Sequence, residues 1–229
     1  MDLELTGRVA LVVGGTGFIG GAVADRLRQE GATVVVASRH PEDGADGVAL
    51  DGRDDASVQR AVAEVLERHG RLDALVVTAA PPAHLLDRSR DADPAQVLDA
   101  VDGKAMVFLR AANAAIPAMR EAGFGRIVVI SGQNAWFSGS VTASVRNAVA
   151  NVVAKDLADG LAGTGVTVNV VNPGPVNDEP AAAVRPGAGG ESSPQQIADL
   201  VAFLVSPRTA TVSGESIAIG HRFLGATGL

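Results

Sequence analysis

The sequence predicts a single α/β domain spanning residues 1–229, a doubly wound Rossmann fold with a mostly parallel seven-stranded sheet flanked by helices. Three observations predict it. Short Val- and Ile-rich runs alternate with longer segments of helical period, a glycine-rich turn follows the first run directly, and no break longer than a loop or internal repeat divides the chain. The strand-like runs are 9–13, 33–37, 48–50, 72–78, 126–131, 166–171 and 216–219. Continuous apolar strands imply a sheet covered on both faces, and strand–helix alternation implies parallel strands joined by right-handed crossovers. Between the strands lie 19–29, 56–69, 95–123, 141–161 and 194–205, in which Ala, Leu and Val return at three- and four-residue steps. Ser193 as N-cap and Pro194 in the first turn mark the start of the last helix. The Pro-, Ala- and Gly-rich stretch 177–193 leaves the carboxyl edge of the sheet, where ligands bind, and reads either as a substrate lid or as an ordinary loop.

Composition excludes several classes of function. With 47 % hydrophobic and 20 % charged residues the chain carries a buried core, so disorder is ruled out. A net charge of −7 with dispersed acidic residues offers no basic face to nucleic acid or to anionic lipid. Cysteine is absent, which removes disulfides, thiolate nucleophiles and iron–sulfur clusters, and His40, His69, His84 and His221 show no metal-ligand spacing. The first residues are acidic and no apolar run reaches the roughly 18 residues that span a bilayer. A soluble, cytoplasmic protein without membrane or nucleic-acid partners is expected.

The turn after the first strand reads Gly14-Gly15-Thr16-Gly17-Phe18-Ile19-Gly20. Glycines at 14, 17 and 20 permit a tight turn, close approach of backbone to a pyrophosphate and close packing of helix on strand. These residues, with Thr16, Phe18 and Ile19, form the expected dinucleotide site. At the end of the second strand, where an NAD site places Asp or Glu, stand Ser38 and Arg39. A guanidinium pairs with a 2′-phosphate, so NADP(H) is the expected cofactor, against the alternative of a solvated surface arginine.

From Gly7 to Gly220 the chain resembles the short-chain dehydrogenase/reductase family. The resemblance rests on ordered blocks: the glycine loop, Asp51 after the third strand, Leu72-Asp73-Ala74-Leu75-Val76-Val77-Thr78-Ala79-Ala80, Gly125-Arg126-Ile127-Val128-Val129-Ile130-Ser131, Asn172-Pro173-Gly174-Pro175-Val176 and Val212-Ser213-Gly214-Glu215. It implies that Asp51 holds the adenine, that Thr78, Ala79 and Ala80 line the cofactor, and that Pro173, Gly174 and Val176 approach the nicotinamide. It also implies a homodimer or homotetramer and a small-molecule substrate.

Members of that family carry a Ser, Tyr, Lys and Asn catalytic group, and this chain contains no tyrosine. Anchored on residues 157–165, the register puts Ala143 at the tyrosine position and Asn147 at the lysine position, whereas a shift of one gives Thr142 and Arg146. The serine position falls on Gly132, with Ser131 just before it, and the asparagine position on Lys104, one of two lysines in the chain. Lys104, Ser131, Asn147 and His84 are therefore the candidate catalytic residues. Two readings stand beside an NADP(H)-dependent oxidoreductase of this tyrosine-less kind, acting on a carbonyl, imine or activated double bond. One is a non-redox cyclase, isomerase or lyase; the other is a non-catalytic nucleotide-binding regulator or partner subunit.

Overall fold

The computed structural model describes residues 1–41, 46–82, 85–136, 139–181, 183–185 and 188–222. Its strands are β1 (Val9–Val13), β2 (Thr33–Ser38), β3 (Gly47–Ala49), β4 (Ala74–Val77), β5 (Gly125–Ile130), β6 (Val166–Pro173) and β7 (Ser216–Ile219). They pair in parallel as one sheet in the order β3-β2-β1-β4-β5-β6-β7. The helices are α1 (Phe18–Gln29), α2 (Asp55–His69), α3 (Pro94–Val101), α4 (Val107–Glu121), α5 (Val141–Gly160) and α6 (Pro194–Leu204). Fold class and strand count are as the alternation predicts.

Alternation along each strand sorts the core into two layers. Val9, Leu11 and Val13 of β1 face one layer with apolar residues of α2, α4 and α5, while Ala10 and Val12 face the other with α1 and α6. Both faces are thereby sealed, which is why β1, β4, β5 and β6 are buried along their full length. Side chains close the helix starts. Asp54 accepts from Ala56 N, Ser140 from Ala143 N, and Ser193 forms a reciprocal capping box with Gln196. Each such cap contributes about 1 kcal/mol.

One element differs from the expectation. The segment 95–123 is not a single regular helix: α3 and α4 are joined by a π-helical turn at Asp102–Met106. Tight packing accounts for it. A Cβ at Gly103 would lie 2.9 Å from Pro81 Cγ and 2.7 Å from a guanidinium nitrogen of Arg53, so the backbone comes right up to its neighbours there. The loop that follows β6 is tied at its base. Asn177 N donates to the Ser192 carbonyl, and Ser192 N to that of Pro175, both at 3.1 Å.

The buried carboxylate of Asp73 pins the start of β4 to β1. It accepts from Val9 N at 2.9 Å, from Arg8 at 2.9 Å and from two nitrogens of Arg71 at 2.6 and 2.7 Å. Burial acts to raise its pKa, but the hydrogen bonds from Arg71, Val9 and Arg8 outweigh it and hold the group below the ordinary carboxylate value. A lowered folded pKa contributes stability above the ordinary carboxylate range that is lost as pH falls through the folded value. Asp73→Asn should cost about 2 kcal/mol at pH 7. The deficit should shrink in acid, as checked by urea unfolding from pH 7 to pH 3.

Candidate active site

The sheet order reverses at β1, which has β2 on one side and β4 on the other, so the loops after β1 and β4 diverge and leave a crevice at the carboxyl edge. A groove of about 760 Å³ occupies it. Lining it are the predicted residues Gly14, Thr16, Gly17, Phe18, Ile19 and Gly20, then Ser38, Arg39 and Asp51, then Thr78, Ala79 and Ala80. Pro173, the last residue of β6, and Gly174 and Val176 just after it lie outside the groove lining. Arg53 and Gly103 also line the groove and escaped the sequence reading. A glycine within a run of helical period was the available signal for Gly103, and Arg53 offered none.

The glycine loop is shaped as a phosphate cradle. Gly14 has φ +86°, and a Cβ on it would meet Ala79 N at 2.7 Å. A Cβ on Gly20 would lie 2.1 Å from the Gly14 carbonyl. Thr78 Oγ1 donates to the carbonyls of Val13 and Gly14, both at 3.1 Å, and fixes the loop from beneath. Gly17 is the N-cap of α1 without any side-chain cap, and the first turn holds no acidic residue, so its N–H groups and dipole are left for an anion. Ser38 Oγ is buried without a hydrogen-bond partner among the described residues, beside the exposed Arg39. An uncapped helix start, a buried hydroxyl and an exposed guanidinium, both without a partner among the described residues, fit a phosphorylated dinucleotide.

Three elements converge beyond the inner end of the groove. The π-helical turn buries Lys104, whose Nζ donates to the Ser131 carbonyl at 3.0 Å. Ser131 Oγ in turn donates to the Asn147 carbonyl on α5 at 3.1 Å. The predicted trio Lys104, Ser131 and Asn147 is thus brought together, while His84 lies outside the described residues. The side chain of Asn147 sits against Gly132, where a Cβ would be 3.1 Å from Nδ2. Of the alternative pair, Thr142 is spent structurally, its hydroxyl donating to the Asp91 carbonyl. Arg146 is buried, and its NH1 donates to the Pro81 carbonyl at 2.9 Å. Gln133, another polar group at the end of β5, clips the C-terminal segment by donating to the carbonyls of Ile219 and His221, both at 3.0 Å.

Burial, reinforced by the positive charge of Arg146, pushes the Lys104 ammonium down from 10.5 to about 7. That places an acid–base group near neutrality at the carboxyl end of β5. Among the described residues no group of three or more His, Cys, Asp or Glu is arranged to hold a metal, and no helix is long and apolar enough to cross a membrane.

A parallel sheet in this strand order, with a glycine-loop crevice at its switch point, defines an α/β protein of the Rossmann class. The family profile described as enoyl-(acyl carrier protein) reductase matches residues 16–221. A (2S)-[(R)-hydroxy(phenyl)methyl]succinyl-CoA dehydrogenase subunit, BbsC of Thauera aromatica, is 34 % identical over 95 % of this chain and 94 % of its own. The 3-oxoacyl-[acyl-carrier-protein] reductase FabG of Escherichia coli is 30 % identical over 94 % and 96 %. Dehydrogenase/reductase SDR family member 4 of Oryctolagus cuniculus is 29 % identical over 94 % and 93 %. The crystal structure of gox2181 superposes with a TM-score of 0.81 at 25 % identity, covering 95 % of this chain and 96 % of that one. The chain belongs to the short-chain dehydrogenase/reductase family of oxidoreductases.

Because the folded pKa of Lys104 lies below the ordinary lysine value, the unfolded chain binds more protons between about pH 7 and 10.5, and stability rises with pH across that window. Lys104→Met should flatten this rise. Thermal melts of both proteins from pH 7 to pH 10 would show it, and parallel curves would mean that the ammonium titrates normally.

Proposed function

We propose that the protein is an NADP(H)-dependent oxidoreductase with an atypical, tyrosine-less active site, acting on a small organic substrate that carries a carbonyl, imine or activated double bond. The observation that carries this reading is Lys104: a buried amine tuned toward neutrality, hydrogen-bonded at the end of β5 and one residue from Gly103 in the groove wall. The E. coli relative is named as a 3-oxoacyl reductase, which supports carbonyl reduction as the reaction class, and the rabbit relative as a dehydrogenase/reductase, which supports redox chemistry.

In this reading the α1 N-terminus and the glycine loop bind the pyrophosphate, Arg39 and Ser38 bind the 2′-phosphate, and Asp51 lies against the adenine. Thr78, Ala79 and Ala80 form the floor, and Pro173, Gly174 and Val176 border the nicotinamide end. The bound cofactor supplies or accepts hydride. Lys104 Nζ holds the proton that the missing tyrosine would otherwise give, Asn147 orients the substrate oxygen, and Ser131 positions α5 through its bond to the Asn147 carbonyl. His84 stands as an alternative proton carrier. Gly190 lies against the turn at Gly174, where a Cβ would be 2.9 Å from the Gly190 carbonyl, and in this reading the stretch 177–193 serves as a substrate lid. Exposed apolar side chains at Leu98 and Val152 suit assembly as a homodimer or homotetramer in the cytoplasm.

A second reading has one specific observation behind it: the Thauera relative is named as a subunit of a dehydrogenase. On that reading this chain binds nucleotide without turnover and accompanies an active relative. Purification from its own source with a stoichiometric second reductase, combined with no NADPH consumption by the isolated chain, would favour it.

Calorimetric titration of nucleotide-free protein is the direct test. NADPH should bind in the micromolar range and NADH far more weakly. Arg39→Asp should weaken NADPH about 100-fold, the scale of a lost bidentate charge pair, and NADH by only a few-fold. Equal losses would remove Arg39 from the phosphate site. Gly17→Val should abolish both, because its side chain would fill pyrophosphate space. With a substrate found by screening carbonyls, enones and imines, Lys104→Met should lower turnover about 10²- to 10⁴-fold while leaving NADPH affinity intact.

A further inference from the structure

Lys104 and Arg146 are 6 % and 5 % exposed, and neither forms an ion pair among the described residues. Other arginines of this chain show what satisfied cations look like. Arg8 reaches the Asp73 carboxylate, and the buried Arg126 donates to the carbonyls of Ser206, Gly125 and Gly165 while packing 4.3 Å from the centre of the Phe124 ring. Among the described residues Lys104 has a single carbonyl acceptor, and so has Arg146. Arg146 Nε is buried with no hydrogen-bond partner among them. Two basic groups held close together out of water, each short of acceptors, leave a positive field that is relieved by loss of the Lys104 proton or by a bound anion.

Their location says which ligand that anion belongs to. Arg146 is anchored on the carbonyl of Pro81, and Lys104 follows Gly103; Pro81 and Gly103 both form the groove wall. The cofactor phosphates have their own donors at the α1 N-terminus and Arg39, on the far side of the groove. Asn147, one residue beyond Arg146, adds a neutral amide that packs against Gly132 in the space a side chain would take.

We infer that Lys104, Arg146 and Asn147 form a subsite for a carboxylate carried by the substrate, so that the preferred substrates are oxo or unsaturated acids rather than neutral carbonyl compounds. A guanidinium edge takes the two oxygens of a carboxylate side by side, and the adjacent ammonium completes its charge. The inference deepens the oxidoreductase reading in its choice of substrate class, and anion binding is measurable without cofactor or turnover. Carboxylate binding should also raise the pKa of Lys104, drawing a proton from buffer above pH 7.

The experiment is calorimetry of the full chain at pH 8 and constant ionic strength, with benzoate, malonate and glutarate against benzamide, malonamide and inorganic phosphate, with and without NADP⁺. The expected result is saturable binding of at least one carboxylate below about 1 mM, at least tenfold tighter than its amide. Proton uptake should appear as a heat that varies with the ionisation enthalpy of the buffer. Arg146→Met should weaken carboxylate binding at least tenfold, and Arg146→Lys should recover part of it. Equal affinity for acid and amide, phosphate binding tighter than every carboxylate, or binding without proton uptake would each overturn the subsite; these comparisons need only the wild-type chain, whether or not Arg146→Met folds. Failure of NADPH to bind while carboxylates do would instead overturn the oxidoreductase reading and leave the subsite standing.

Discussion

The first turn of α1 lies so close over the end of β1 that no side chain fits between them. Gly20 approaches the Gly14 carbonyl to a distance at which a Cβ would overlap it, and Gly14 itself adopts a positive φ against the backbone of Ala79. This contact fixes where α1 begins, and therefore where its unpaired N–H groups point. It also draws β1 and the segment after β4 together beneath the loop, with Thr78 bridging the Val13 and Gly14 carbonyls. The crevice at the switch point follows from that geometry, since the neighbouring connections must run off in opposite directions.

A second constraint acts at the inner end of the groove. The π-helical turn packs Gly103 against Pro81, and an ionic network holds the turn from outside. Arg53 donates to Asp99 at 2.6 Å, and Arg110 reaches Asp102 at 2.8 Å and Asp55 at 3.0 Å. These pairs are largely solvated and contribute little each, but together they brace the one place where the helix departs from regular geometry. That departure carries Lys104 inward to the end of β5, where burial and the charge of Arg146 lower its basicity. Arg53 lines the groove as well, so the groove wall and the turn bearing Lys104 share a residue.

Much of the fold was legible in the residues. The seven apolar runs became seven strands to within two residues at their ends, because an all-parallel sheet demands runs that are apolar on both faces. Ser193 and Pro194 marked the start of α6 because an N-cap oxygen and a proline in the first turn answer local needs of the backbone. The glycine loop was readable for the same reason, as positive φ and missing Cβ space belong to glycine alone. The break between α3 and α4 was not readable in this way. A π turn is imposed by what packs against it, here Pro81 from a distant part of the chain, and Gly103 was its faint trace.

What the sequence determined by itself was the architecture, the glycine loop that walls the groove and the absence of tyrosine, all consequences of local backbone preference, hydrophobic period or composition. The tertiary structure decided which polar groups meet. Sequence spacing left Thr142 with Arg146 and Ala143 with Asn147 as competing pairs, but folding spent Thr142 on the Asp91 carbonyl and set Asn147 against Gly132. It also placed Arg146 beside Lys104, a pairing of residues 42 positions apart that no periodicity encodes. Charge and acidity at such a site depend on burial and on neighbours from other elements, and those exist only once the sheet and its helices have closed around them.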